Sequence, residues 1–309
     1  MTDEPVLDIT RVDHIGMAVP EIEPRLEFFE GLFGLRRLDD HEDRADGVRR
    51  VTLAIPGADL RWELLAPLGP GSAIQDFLDS PRGPGIHHAA FDIPEVRGAI
   101  EALRAAGLEP AEADEQHVVI GADGGRGLRF LLRAPGACAA SGGVATAEPP
   151  SADERTLGVI GIDHVCHASP DRDALGGWYE RTFGMRETHR TPDGEHEDLA
   201  DLVLAVPGGQ MRWEVLQPVG EGSFVERFLS TRGPSVHHVA FEVGDWERAM
   251  AACERHGVEP FDHHSGETRG AAWHDAFIHP KLTGGVLLQL FWEAERDAWV
   301  ASDKVPSRC

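Results

Sequence analysis

Lysine is almost missing from this chain: of its 29 basic residues only Lys281 and Lys304 are lysines, and they face 53 acidic residues, for a formal charge of −24. A chain this negative repels phosphates at long range, which excludes nucleic acid and anionic membrane surfaces as natural partners and leaves a small molecule as the expected one. Long apolar runs are absent too; no stretch approaches the roughly 18 residues of a membrane-spanning helix. The opening MTDEPVLDIT has neither the basic start nor the apolar core of a signal peptide, so a cytoplasmic location is expected. Cys138, Cys166, Cys253 and Cys309 show no C-x-x-C spacing, which argues against a disulfide framework and against a thiolate zinc site.

What the chain does have is length and repetition. With 309 residues and 41% hydrophobic content it can build two ordinary domains, each expected to have its own core. The segment VDHIGMAVPEIEPRLEFFEGLFGLRRL at Val12 returns as IDHVCHASPDRDALGGWYERTFGMRET at Ile162. The segment RWELLAPLGPGSAIQDFLDSPRGPGIHHAAFDI at Arg61 returns as RWEVLQPVGEGSFVERFLSTRGPSVHHVAFEV at Arg212. Repeats of this length are whole domains. Residues 134–156, rich in Ala, Gly, Ser and Pro, read as a linker. The expected organisation is therefore domains at 1–133 and 157–300, with a tail at 301–309.

Within the second copy, DHVCHA reads as a strand, RDALGGWYERTFG as a helix, and LADLVLAVPG and MRWEVLQPV as strands, after which VHHVAFEV restarts the cycle. Each copy is thus a pair of βαβββ modules, an α+β arrangement.

Four polar residues of the second copy lie among apolar neighbours on strands: His164 in IDHVC, Glu214 in WEVL, His238 in HHVAF and Gln289 in LLQLF. A buried polar side chain is costly unless paired, so each of them alone could be a hydrogen-bonded core residue. Together, two imidazoles and a carboxylate are a common ligand set for a divalent metal, with positions left for substrate or water.

DHIGMAV, GPGIHHAAF, GPSVHHVAF and HPKLTGGVLLQL resemble methylmalonyl-CoA epimerase, a vicinal oxygen chelate enzyme, once per copy over nearly the whole chain. The resemblance implies two tandem vicinal oxygen chelate domains, each a cup-shaped mixed sheet around a metal site. It also implies the ligands His164, Glu214, His238 and Gln289, and a divalent ion that is Fe, Co, Ni, Mn or Zn. The epimerase usually carries Gln where this chain has Glu214 and Glu where it has Gln289. That exchange matters because the family's last Glu is one of two paired bases, and Gln289 cannot act as one. Asp201 matches the other base position and, with Glu214, is a candidate catalytic carboxylate; a solvated strand-end Asp is the alternative.

The first copy keeps His14, Glu63 and His88, but Leu131 stands at the fourth ligand position and Arg50 at that of Asp201. It either binds metal through three ligands or is structural. Strand alternation turns Arg212 toward the cavity of Glu214 and Arg61 toward that of Glu63, as anchors for a substrate carboxylate or as charge balance for the glutamates. The same alternation turns His87 and His237 away from the metal. About eight extra residues in HHSGETRGAAWHDAF read as a long loop at the cup mouth, where Arg269, Trp273 and His274 are candidate substrate contacts.

Three functions are compatible with these residues. The resemblance implies an epimerase or isomerase acting next to a carbonyl, in which a metal chelates two substrate oxygens and stabilises an enolate. The tandem arrangement is also similar to 4-hydroxyphenylpyruvate dioxygenase and the extradiol dioxygenases, whose triad would here be His164, His238 and Glu214. A ligand-sequestering protein of the bleomycin-resistance type is the third, with the His, Glu and His in both copies arguing against it. In each case the partner is a small molecule with two chelating oxygens, and a monomer or homodimer is expected.

Overall fold

The computed structural model describes residues 4–134, 155–192, 194–195 and 197–298. Most of the expected linker and all of the tail, with Cys138 and Cys309, lie outside the described residues. The first copy runs β1 (Arg11–Ala18), α1 (Glu23–Gly31), β2 (Arg36–Asp43), β3 (Val48–Ala54), β4 (Arg61–Pro67), α2 (Gln75–Leu78), β5 (Gly85–Asp92), α3 (Val96–Ala105), β6 (Glu112–Ala113), β7 (His117–Ile120) and β8 (Arg129–Arg133). The second runs β9 (Val159–Ala168), α4 (Arg172–Phe183), β10 (Arg186–Arg190), β11 (Leu199–Ala205), β12 (Arg212–Pro218), α5 (Phe224–Arg232) and β13 (Ser235–Val243). It continues with α6 (Trp246–Arg255), β14 (Phe261–Thr268), β15 (Ala271–Ile278), α7 (Pro280–Thr283) and β16 (Leu287–Glu293).

Each copy forms one eight-stranded mixed sheet, ordered β2-β3-β4-β1-β5-β8-β7-β6 and β10-β11-β12-β9-β13-β16-β15-β14. The first strand of each module pairs parallel with the last of its own module, as β9 does with β12 and β13 with β16. The two modules join through the antiparallel pair β9–β13. That places β9 and β13 at the centre of the sheet, and apart from its edge Ile160 every residue of β9 is buried. Local signals set the helix between them: the Asp171 side chain accepts from Ala174 N–H at 2.8 Å at the start of α4, and Gly184 ends it in the left-handed conformation at φ 66°.

The expectation of one core per copy is corrected. Most buried apolar side chains of both copies merge into one large cluster on the convex side of the sheets, leaving a small separate cluster in each copy beside α2 and α5. Phe33, just after α1, meets Phe241 of β13 with ring centroids 4.9 Å apart, and Phe183 of α4 meets Phe91 and Phe130 at 5.1 and 4.9 Å. Each copy's first helix therefore fills space that the other copy's sheet leaves open, an exchange the sequence repeat does not display.

The extra residues of the second copy are also not a loop. They lengthen a hairpin: β14 and β15 have eight residues each, where β6 and β7 have two and four. β14 is an edge strand, exposed along almost its whole length, so it lacks the alternation by which a half-buried strand is read from sequence.

Candidate metal centre

Register places the polar residues on the concave face of the second sheet. Arg212 aligns with His164 across β12 and β9, Glu214 with Cys166, and Cys166 with His238 across β9 and β13. Gln289 of β16 aligns with Ala240, two residues beyond His238. The structure thus gathers His164, Glu214 and His238 into one group whose donor atoms lie within 4.8 Å of one another. His164 Nε2 is 3.0 Å from His238 Nε2, and Glu214 Oε2 is 3.7 and 3.4 Å from the two nitrogens.

These distances suit a shared cation. Donors about 2.1 Å from one ion and at right angles to each other lie about 3.0 Å apart. The unsatisfied atoms point the same way: Glu214 Oε2 and Gln289 Oε1 are buried acceptors without a hydrogen-bond partner among the described residues. Leaving an acceptor buried and unpaired costs about 1–3 kcal/mol, and a bound ion removes that cost. The fourth residue is held by Asp275, whose Oδ2 accepts from Gln289 Nε2 at 3.1 Å.

Electrostatics differ between the two imidazoles. Burial, with His164 and His237 alongside, holds the His238 pKa well below its ordinary value, so its imidazole is neutral. Burial also lowers His164, but the hydrogen bond to Asp163 and the charge of Glu214 outweigh it and the net shift is upward. Asp163 Oδ2 lies 2.7 Å from His164 Nδ1, which fixes the ring with Nε2 toward the group, the carboxylate–imidazole arrangement of metal sites. Burial raises Glu214 and Asp275.

The first copy gathers the equivalent atoms, with His14 Nε2 2.9 Å from His88 Nε2 and Glu63 Oε2 3.7 Å from both. It differs in charge. Arg50 Nη1 lies 3.4 Å from Glu63 Oε2, so a guanidinium already neutralises the carboxylate that an ion would take, and Leu131 offers no donor beside it.

Asp201 pairs with Leu216, two residues beyond Glu214, and so faces the cup; it accepts from Thr191 N–H at 3.1 Å and from the Thr191 hydroxyl. Asp275, not singled out from the sequence, stands in the matching place of the second module, paired with Phe291 two residues beyond Gln289. Its Oδ1 lies 2.9 Å from His264 Nδ1. Asp275 lies in HHSGETRGAAWHDAF, the segment read as a loop, where strand alternation was not applied.

Several expected substrate contacts are placed elsewhere. Arg212 is 1% exposed and donates to Asp297 Oδ1 at 3.0 Å, while Arg61 donates to Asp13 Oδ1 at 3.0 Å; both are committed to buried carboxylates. His274 lies on the convex face, stacked between Trp246 and Trp292 at 5.4 and 5.3 Å. Trp273 shares the concave parity of Asp275, and its ring lies over Gly266. Arg269 sits exposed at the hairpin tip at φ 54°. His87 and His237 do not turn away. Register shifts beside them in β5 and β13 break the alternation, so His237 Nδ1 lies 2.9 Å from His238 Nδ1 and its ring packs on Phe224 and Phe228.

Residues 13–128 and 163–277 each match the family model of the Glyoxalase/Bleomycin resistance protein/Dioxygenase superfamily. The chain belongs to that superfamily. Among its relatives is an ethylmalonyl-CoA/methylmalonyl-CoA epimerase of Cereibacter sphaeroides, 30% identical over 110 residues that cover 36% of this chain and 81% of the relative. A triple mutant of 4-hydroxymandelate synthase from Streptomyces coelicolor superposes with a TM-score of 0.67 over 94% of both chains at 17% identity. The Mn(II)-bound glyoxalase of Novosphingobium aromaticivorans does so with 0.59 over 94% of this chain and 84% of its own at 16%. These two likenesses concern the fold. Among the described residues no helix is long and apolar enough to cross a membrane.

Proposed function

We propose that the second copy is a divalent-metal site for epimerase- or isomerase-type chemistry at a carbon next to a carbonyl. The observation that carries this reading is the pair Asp201 and Asp275, carboxylates at matching positions of the two modules, flanking the ligand group His164, Glu214, His238 and Gln289. Inverting a carbon centre requires a proton to leave one side and return on the other, and two carboxylates on opposite walls are suited to it. A divalent ion there would supply Lewis-acid polarisation of two adjacent substrate oxygens. The chain's own residues do the rest. Asp201 takes or returns a proton on one wall with Thr191 holding its Oδ1; Asp275 does so on the other, with the half-exposed His264 linking it to solvent. The relation to an ethylmalonyl-CoA/methylmalonyl-CoA epimerase supports the same class.

A second reading is favoured by the ligand set itself, since two histidines and one glutamate also make the triad of non-haem Fe(II) oxygenases. One experiment separates them. Metal-loaded protein is incubated in D2O with 2-substituted acyl thioesters and 2-keto acids, and deuterium at the carbon next to the carbonyl is followed by NMR. Exchange that Asp201→Asn confines to one epimer of the substrate while metal content is retained supports the epimerase class. Oxygen consumption with Fe(II), without exchange, moves the assignment to the oxygenase. Binding without either reaction leaves a sequestering protein.

A further inference from the structure

The β14–β15 hairpin of the second copy is longer than its counterpart β6–β7, and its concave-face residues lead to the metal centre. Asp275 Oδ2 accepts from Gln289 Nε2 at 3.1 Å, and Asp275 Oδ1 faces His264 Nδ1 at 2.9 Å. An amide has two ends of opposite character. Tying Nε2 to Asp275 leaves Oε1 as the end presented to His238, a buried acceptor with no well-formed hydrogen bond among the described residues. The first copy lacks the whole device: Leu131 stands for Gln289, and His117, paired with Arg133 two residues beyond Leu131, stands for Asp275.

We infer that Asp275 is the positioning residue of the fourth ligand, locking the Gln289 amide so that its oxygen, not its nitrogen, faces His164, Glu214 and His238. The inference rests on the metal-site reading of the second copy. The longer hairpin is then what allows a neutral amide to serve as a ligand: it carries Asp275 to the Gln289 amide and His264 to the other oxygen of Asp275. The Asp275 charge is also felt at His164, so the test compares Asp275→Leu with Asp275→Asn, which removes the charge and keeps an acceptor for Gln289.

The test is a Co(II) titration of the full-length chain, read from the visible absorption of the bound ion, with thermal unfolding as a check on folding. Asp275→Leu is expected to weaken Co(II) binding about 10- to 100-fold, the range for loss of a residue that orients a ligand. Asp275→Asn, whose side-chain oxygen still accepts from Gln289, is expected to restore most of the affinity. Gln289→Leu should cost as much as Asp275→Leu, and the double variant no more than Gln289→Leu alone. If Asp275→Leu weakens binding by the same factor in the Gln289→Leu background, or if Asp275→Asn is as weak as Asp275→Leu, the positioning role is overturned. Co(II) binding that is unchanged in His164→Ala would instead overturn the metal-site reading beneath it.

Discussion

Arg50 Nη1 stands 3.4 Å from Glu63 Oε2, in the strand position that Asp201 holds relative to Glu214 in the other copy. One repeat thus places a cation beside its ligand carboxylate and the other an anion. Elemental analysis is expected to give one divalent ion per chain, lost in His164→Ala and kept in His14→Ala. Arg50→Asp combined with Leu131→Gln should raise the count toward two. Two ions in the unaltered chain would refute the division of labour.

The three-residue group makes a sharper mutational statement. His238→Ala and Glu214→Ala should each abolish binding in the second copy, because each removes an imidazole or the anionic donor of the group, which the neutral Gln289 amide does not replace. His237→Phe should keep it. Its ring packs on Phe224 and Phe228, its Nδ1 lies 2.9 Å from His238 Nδ1, and it stands near Cys166 rather than among His164 and Glu214. Equal losses from all three variants would sink the ligand assignment.

The shared core predicts how the molecule unfolds. Phe241 packs on Phe33 and on Trp62, at 4.9 and 5.5 Å, both from the other copy. Phe241→Ala is expected to cost about 3–5 kcal/mol, and urea unfolding followed by tryptophan fluorescence and by far-UV circular dichroism should give one coincident transition. Two separated transitions would mean that the copies are stable independently.

A pH dependence follows from His167, buried in β9 with Nδ1 2.7 Å from the Tyr179 hydroxyl. Burial pushes its pKa down to about 4 from an ordinary 6.5. The unfolded chain therefore binds the proton first as pH falls, so the contribution is fully present above about 6.5 and is lost progressively toward 4. At pH 5 this one group should cost about 2 kcal/mol relative to neutral pH. Urea titrations of metal-free protein at pH 7.5 and 5.0 should show the drop reduced by that amount in His167→Gln; an unchanged drop would contradict it.

Much of this protein could be read directly from its residues. The return of VDHIGMAV as IDHVCHAS and of GPGIHHAAF as GPSVHHVAF fixed the tandem architecture, because a repeated pattern of apolar periodicity and turn residues folds the same way twice. His164, Glu214, His238 and Gln289 were legible for a related reason: a polar side chain inside an apolar strand is conspicuous whatever it does. The tertiary structure decided what depends on register, packing and charge partners. β-bulges turned His87 and His237 back toward the cup, against the alternation of a regular strand. Asp297, 85 residues away in sequence, claimed Arg212, and Trp246 and Trp292 claimed His274. Asp275 emerged only when an edge hairpin carried it to Gln289, and the large shared core formed only when each copy's helix met the other's sheet. Sequence periodicity is a local property that determines elements and their faces, whereas the partner of a buried charge is whichever group folding brings within about 3–4 Å, and that distance exists only in three dimensions.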